Sequence, residues 1–223
     1  MNLKVLYEDN HLIAVYKPAG VLTQPDKSGD VSLMEEVKKY LKEKYYKPGK
    51  VFLGLLHRLD RPVSGIILFA KTSKGAARLS EQFRDQTIEK IYHAVVVGKP
   101  KQDKGELINY LEKDKKRDKV RIKPSGRPSQ KAELSYEVVG SNNKYSFLRI
   151  KIKTGKSHQI RAQLAAIGCP VLGDIKYGAP FALPDKSVGL AATSLSFRLA
   201  TKDERKEIAA PIPITWKKYL DER

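Results

Sequence analysis

The chain has 223 residues, near the upper range of one domain though long enough for two small ones, and 41% of them are apolar. That length predicts burial of roughly 70% or more of the unfolded surface; no stretch approaches the roughly 20 apolar residues of a membrane helix, and the single Cys169 excludes an internal disulfide or a cysteine-rich zinc site. Forty-three Lys and Arg against 25 Asp and Glu leave a net charge of +18, which attracts polyanions and puts nucleic acid far ahead of a membrane surface as partner.

The start, Met1-Asn2-Leu3-Lys4-Val5-Leu6, lacks the basic-then-apolar order of a signal peptide, so a cytoplasmic location is expected. Lys4–Tyr7 and Leu12–Tyr16 read as short strands around a Glu8-Asp9-Asn10 turn. Ser32 and Glu35 form a capping box, and Leu33, Val37, Tyr40, Leu41 and Tyr45 follow at helical spacing until Lys47-Pro48-Gly49 stops the helix. Gly65–Ala70 is an apolar run of strand length. A helix from Ser73 to about Asp85 carries Ala76, Leu79 and Phe83 on one face, and Ile91–Val97 is again strand-like.

Residues 99–131 stand apart, holding Lys113, Lys115, Lys116, Arg117, Lys119, Arg121, Lys123 and Arg127 among few apolar residues. A solvated loop or hairpin arm is expected there, of a kind that grips a phosphate backbone through Lys115, Lys116 and Arg117. Ala132, Leu134, Tyr136 and Val138 alternate with polar neighbours, as do Leu148, Ile150 and Ile152, which predicts half-buried antiparallel strands. Ser157–Ile167 reads as a helix closed by Gly168, Val188–Phe197 as strand, and Pro213–Tyr219 as a last short helix. The order predicts an α+β fold: a mixed, mostly antiparallel central sheet with flanking helices, in one domain over residues 1–223.

The most informative stretch is His57-Arg58-Leu59-Asp60-Arg61-Pro62-Val63-Ser64-Gly65, which sets one carboxylate between two arginines at a turn beside an expected buried strand. Alone, such an Asp is more often a surface acid in an ion pair. Three further segments accompany it: Val15-Tyr16-Lys17-Pro18-Ala19-Gly20, Lys90-Ile91-Tyr92-His93-Ala94, and Thr154-Gly155-Lys156-Ser157-His158-Gln159-Ile160-Arg161, the last continuing to Gly168-Cys169-Pro170 and Gly173-Asp174-Ile175-Lys176-Tyr177-Gly178. In this order and spacing, from Lys17 to Phe197, the chain closely resembles the RluA family of RNA pseudouridine synthases.

The resemblance implies a pseudouridine synthase-like catalytic domain in which Asp60 is the catalytic residue, Tyr92 the active-site tyrosine and Arg161 the basic partner of the Asp. Val63, Lys156-Ser157, Gln163 and Leu190-Ala191-Ala192 depart from the usual family residues and bear on RNA contacts rather than on the reaction. The small amino-terminal RNA-binding module of some relatives is expected to be absent.

The implied chemistry suits these residues. Pseudouridine formation breaks the N1–C1′ bond of a uridine, turns the base and joins C5 to C1′. Bond breaking develops oxocarbenium-like charge on the sugar, which a carboxylate stabilises as in glycoside hydrolysis. The uracil leaves as a delocalised anion and never departs, so one carboxylate suffices where a hydrolase needs two. Direct attack of Asp60 on C1′ and removal of the 2′ proton to give a glycal both stay open.

Tyr92 offers a face for stacking on uracil, although alone it reads as a core aromatic. His57 and Arg58 are candidate substrate contacts, Arg58 by reaching phosphate or filling the gap of a flipped base. Lys17, Lys156, His158 and Gln159 are candidate RNA or active-site contacts, with structural hydrogen bonding an equal alternative for each. The four histidines, His11, His57, His93 and His158, show no metal spacing, and no Gly-rich phosphate loop is present, so neither metal nor cofactor is expected. The expected partner is structured rRNA or tRNA, with no membrane, and a monomer is the simplest state. A non-catalytic RNA-binding or folding protein on the same fold is the rival reading.

Overall fold

The computed structural model describes residues 2–114, 116, 118–125 and 129–220. In chain order these form β1 (Lys4–Glu8), β2 (Leu12–Lys17), α1 (Leu33–Lys44), β3 (Gly54–Leu55), β4 (Ser64–Ala70), α2 (Ser73–Arg84), β5 (Glu89–Val97), β6 (Lys104–Asp114), β7 (Lys119–Lys123), β8 (Gln130–Ser141) and β9 (Tyr145–Ile152). Then come α3 (Gln159–Ala166), β10 (Leu190–Arg198), β11 (Arg205–Ala209) and α4 (Lys217–Leu220), with short 3-10 turns at Ile175–Tyr177 and Ile214–Trp216. The elements fall into two compact units: Met1–Glu89 with Ser194–Ala210, and Lys90–Thr193 with Pro211–Arg223.

In the first unit β1, β2 and β4 pair antiparallel, with Leu12 opposite Ala70 and Lys17 opposite Gly65. The β1–β2 turn forms because Asp9 Oδ1 accepts the backbone N–H of both His11 and Leu12 at 2.7 Å. β4 is buried along its whole length, as its uninterrupted apolar run predicts. One core joins Leu12, Ala14, Ile66 and Leu68 to Leu79 of α2 and to Leu195, Phe197 and Ile208 of the β10–β11 hairpin. Gly75 lets α2 start close to β2, for a Cβ there would lie 2.7 Å from the His11 carbonyl oxygen.

The expected Ser32–Glu35 capping box is present on α1. The far end of α1 is tied down by Glu8, whose carboxylate accepts from Lys44 Nζ at 2.7 Å, Lys71 Nζ at 2.6 Å and the Tyr45 hydroxyl at 2.7 Å. Burial pushes the Glu8 pKa up, but these hydrogen bonds outweigh it and bring it down to about 2. A folded pKa below the unfolded 4.5 gives stability that is complete above pH 5 and lost as pH falls toward 2. Glu8→Gln is therefore expected to unfold on the order of 2–3 kcal/mol more easily at pH 7, with the gap to wild type closing near pH 2 in urea titrations. An equal gap at both pH values would refute the assignment.

The second unit is a run of antiparallel pairs, β5 with β9, β9 with β8, β8 with β6 and β6 with β7. Val95, Leu172, Ala191 and Trp216 form one apolar cluster, and Leu111, Val120, Ala132, Ala162 and Tyr177 another. The segment expected as a solvated arm is in part a hairpin, β6 and β7, but β6 pairs along its length with β8 as well. Lys116 sits in the β6–β7 turn, its N–H donating to Asp114 Oδ1, while Lys115 and Arg117 lie outside the described residues. The helix expected over Ser157–Ile167 begins two residues late, because His158 takes a left-handed φ of 51° that no helix continues through.

Candidate active site

Asp60 opens a tight turn just before β4, with the Val63 N–H donating to the Asp60 carbonyl at 3.0 Å. Groups from the last residue of β2 and the segment after it hold this turn. Thr23 Oγ1 donates to the Leu59 carbonyl at 3.0 Å and accepts the Leu59 N–H at 3.3 Å. The Gly20 N–H donates to the Arg61 carbonyl at 2.8 Å, which Gly20 reaches with a φ of +84° that disfavours any side chain. Lys17, at the end of β2, donates from Nζ to the carbonyls of Pro18, Val21 and Arg61 at 3.1, 2.7 and 3.1 Å.

Lys17 is wholly buried. Burial pushes its ammonium down to about 7, the Asp60 charge opposing this and Arg61 adding to it. A depressed lysine pKa means the charge costs stability below pH 7, and the cost fades as pH rises toward 10.5. What Lys17 holds is the carbonyl of Arg61, next to Asp60, and the chain at Pro18 and Val21. Lys17 has no exposed surface, and its three hydrogen bonds run to carbonyls of its own chain. Arg61, by contrast, lies outward and pairs with Asp30 at 2.6 Å.

His57 also faces inward. Its Nε2 accepts the Leu68 N–H at 3.0 Å and its ring stacks on Phe83 at 5.0 Å, which commits it to joining the motif, β4 and α2. Arg58, like Arg61, is exposed and Asp60 half-buried, while Leu59, Val63 and Ser64 are buried and anchor the motif.

Tyr92 and Arg161 belong to the second unit. Tyr92 stands on β5 opposite Ile150, which in turn faces Tyr136, so these three line one face of the sheet. Alternation sends His93 to the other face, where its Nδ1 lies 2.7 Å from Thr193 Oγ1 and its ring stacks on Phe147. Arg161 is 5% exposed and makes a two-pronged pair with Asp174, Nε to Oδ2 at 2.6 Å and Nη2 to Oδ1 at 2.9 Å. Its guanidinium also lies 5.1 Å from the Tyr177 ring centre. Asp174 is itself 2% exposed. It is the residue that sequence reasoning missed; its place in the Gly173–Gly178 segment was visible, but its partner 13 positions earlier was not.

The loop before α3 is braced by Gln159. Its Oε1 accepts from Thr154 Oγ1 at 2.8 Å and from the Lys156 N–H at 3.1 Å, and its Nε2 donates to the Glu133 carbonyl at 3.0 Å. Gln159 is thereby occupied by its own chain. His158 Nδ1 meets the Tyr177 hydroxyl at 2.9 Å, and that hydroxyl also accepts the Val120 N–H. Lys156 remains half-exposed. No group of three or more His, Cys, Asp or Glu residues arranged to hold a metal occurs among the described residues.

Comparison with known proteins gives a consistent picture. Residues 11–166 match the family model described as RNA pseudouridylate synthase. An RNA pseudouridine synthase of Bacillus subtilis (strain 168), YhcT, is 32% identical over 96% of this chain and 70% of its own length. Ribosomal large subunit pseudouridine synthase C of Vibrio parahaemolyticus serotype O3:K6 is 30% identical over 97% of this chain and 68% of its own. Among solved structures, human RNA pseudouridylate synthase domain containing 4 superposes with a TM-score of 0.80 at 23% identity, covering 97% of this chain and 91% of that one. The fold is thus the α+β fold of such domains, with mostly antiparallel strands.

Proposed function

Because the chain belongs to the RluA-type family of RNA pseudouridine synthases, and so is an isomerase acting on RNA, we propose that it converts uridine to pseudouridine in large-subunit ribosomal RNA with Asp60 acting on the ribose. The observation that carries the Asp60 assignment is its setting. A half-buried carboxylate is held in a turn clamped by Lys17, Thr23 and Gly20, a degree of fixation that a surface ion pair does not need. The names of the ribosomal large subunit synthases among the relatives support the choice of RNA.

In this reading the target uridine leaves its stack, and the Asp60 carboxylate meets the charge that develops at C1′ as the N1–C1′ bond breaks. The C5–C1′ bond then forms, C5 loses its proton and N1 gains one, so no atom is lost overall. Tyr92 supplies the aromatic surface for the turning base and Arg161 the basic group of the site. Arg58, Lys156 and the basic residues Lys115, Lys116 and Arg117 meet phosphate. The test uses ribosomal RNA with tritium at uridine C5. Release of label into water together with a newly mapped pseudouridine is expected. Tight RNA binding without release would favour the non-catalytic RNA-binding protein instead.

Lys17 separates anchoring from RNA contact. Lys17→Met removes the donor shared by three carbonyls and lets the Asp60 turn shift, which is expected to lower kcat by roughly 100-fold. RNA affinity, followed by fluorescence anisotropy, should stay within about twofold, since a wholly buried group contributes nothing to the phosphate contacts that set it. A matching loss of affinity would show that Lys17 reaches RNA after all.

A further inference from the structure

The outer flank of α2 and the turn between β10 and β11 line a groove of about 710 Å³ within the first unit, which none of the candidate site residues lines. Across it the Gln82 side-chain amide pairs with the Arg198 backbone, whose N–H donates to Gln82 Oε1 at 2.9 Å while Gln82 Nε2 donates to the Arg198 carbonyl at 2.9 Å. The side chains that line it are unusual in what they leave uncompensated. Of its acids, Asp203 lies 3.8 Å from Arg198 and Asp85 lies 3.6 Å from Arg84. Among the described residues Arg205 donates to uncharged oxygens, the Thr87 and Ser196 carbonyls and Ser196 Oγ. Lys74, Arg78 and Lys202 make no ion pair among the described residues, and Glu81 is the one lining acid likewise unpaired there. The groove's five cations therefore outnumber its three acids, and Lys74, Arg78, Lys202 and Arg205 have no carboxylate partner among the described residues.

We infer that this groove binds the phosphate backbone of RNA, as a second contact surface for the substrate outside the catalytic loop. The inference rests on the proposed RNA substrate but concerns a different surface. Lys74 and Arg78 are one helical turn apart, which sets their charges on a single stripe of α2. Lys202 and Arg205 come from the opposite wall. Two facing rows of cations suit a chain of anions passing between them better than one compact anion, which would engage a single row. The Gln82–Arg198 pairing keeps the walls at a fixed separation, so the charges are in place before RNA arrives. α2 also carries Phe83, against which His57 of the catalytic motif stacks, so the helix that forms one wall supports the Asp60 turn with another face.

The experiment measures anisotropy of a labelled RNA duplex of about 16 base pairs against salt, with tritium release from ribosomal RNA followed in parallel. Lys74→Gln, Arg78→Gln and Lys202→Gln together are expected to weaken duplex binding roughly tenfold or more at about 0.1 M salt and to lower the salt slope by about 2–3. The kcat should be unchanged and KM raised. Glu81→Gln alone should tighten binding severalfold, so an opposite response from a well-folded single variant is available as a control. An unchanged slope in the triple variant with an unchanged affinity in Glu81→Gln overturns the proposal. So does loss of binding to a labelled polyglutamate peptide with RNA binding intact, which would make the groove a seat for an acidic protein segment. Failure of the proposed activity reads differently: wild-type protein then releases no tritium, whatever the groove variants do to the duplex.

Discussion

Asp60→Asn is expected to cut tritium release from C5-labelled ribosomal RNA by roughly a thousandfold or more, the scale of losing a positioned acid–base group. The amide has the shape of the carboxylate but not its charge, so it neither stabilises an oxocarbenium-like sugar nor accepts a proton from it. Folding should survive, because the bonds from Lys17, Thr23 and Gly20 that fix the turn end on backbone atoms of Leu59 and Arg61, which the substitution leaves in place. RNA affinity should hold or rise, since a negative charge facing a polyanion has been removed. Full release by the variant would end the catalytic assignment, and a lost affinity with unchanged turnover of bound RNA would recast Asp60 as a docking residue.

Asp174→Ala is expected to be the most damaging change to stability, about 3–5 kcal/mol, measured by denaturant unfolding. The reason is asymmetric. Both members of the Arg161–Asp174 pair are buried, and removing the acid takes away a counter-charge that holds the guanidinium through two hydrogen bonds. Removing both charges tells a different story. Arg161→Met with Asp174→Leu should recover most of that loss, because well-packed apolar residues often replace a buried pair without penalty. Activity should stay low in the double variant if Arg161 belongs to the reacting site, as proposed. Recovery of stability and activity together would reduce Arg161 to scaffolding.

Much of this architecture was legible in the residues because it follows from strong local signals. The capping box at Ser32–Glu35, the apolar run of β4 and the alternation along β8 and β9 each appear where their patterns predict. β11 escaped notice because Arg205–Ala209 is mostly charged and is held as a strand by its partner β10 rather than by any preference of its own. The extent of β6 was hidden for a similar reason: its outward residues are exposed, and pairing on two sides outweighs them. At the site, the His57–Asp60 motif announced itself by composition. The anchoring function of Lys17, the clamp by Thr23 and the Asp174 counter-charge did not, since each depends on contacts between residues that only the folded chain makes adjacent. Gln159 and His158 show how ambiguous a polar motif is beforehand, for both engage their own chain.

The first unit is discontinuous, and this governs how the protein is made. Its opening 89 residues emerge from the ribosome without Leu195, Phe197 and Ile208, which complete their core. All of Lys90–Thr193 must be synthesised in between, a delay of roughly 5–20 s at elongation speeds of about 5–20 residues per second. During that interval the nascent amino-terminal strands, β4 above all, present bare aliphatic surface to the cytosol or its chaperones, and a severed Met1–Glu89 fragment would keep that surface permanently.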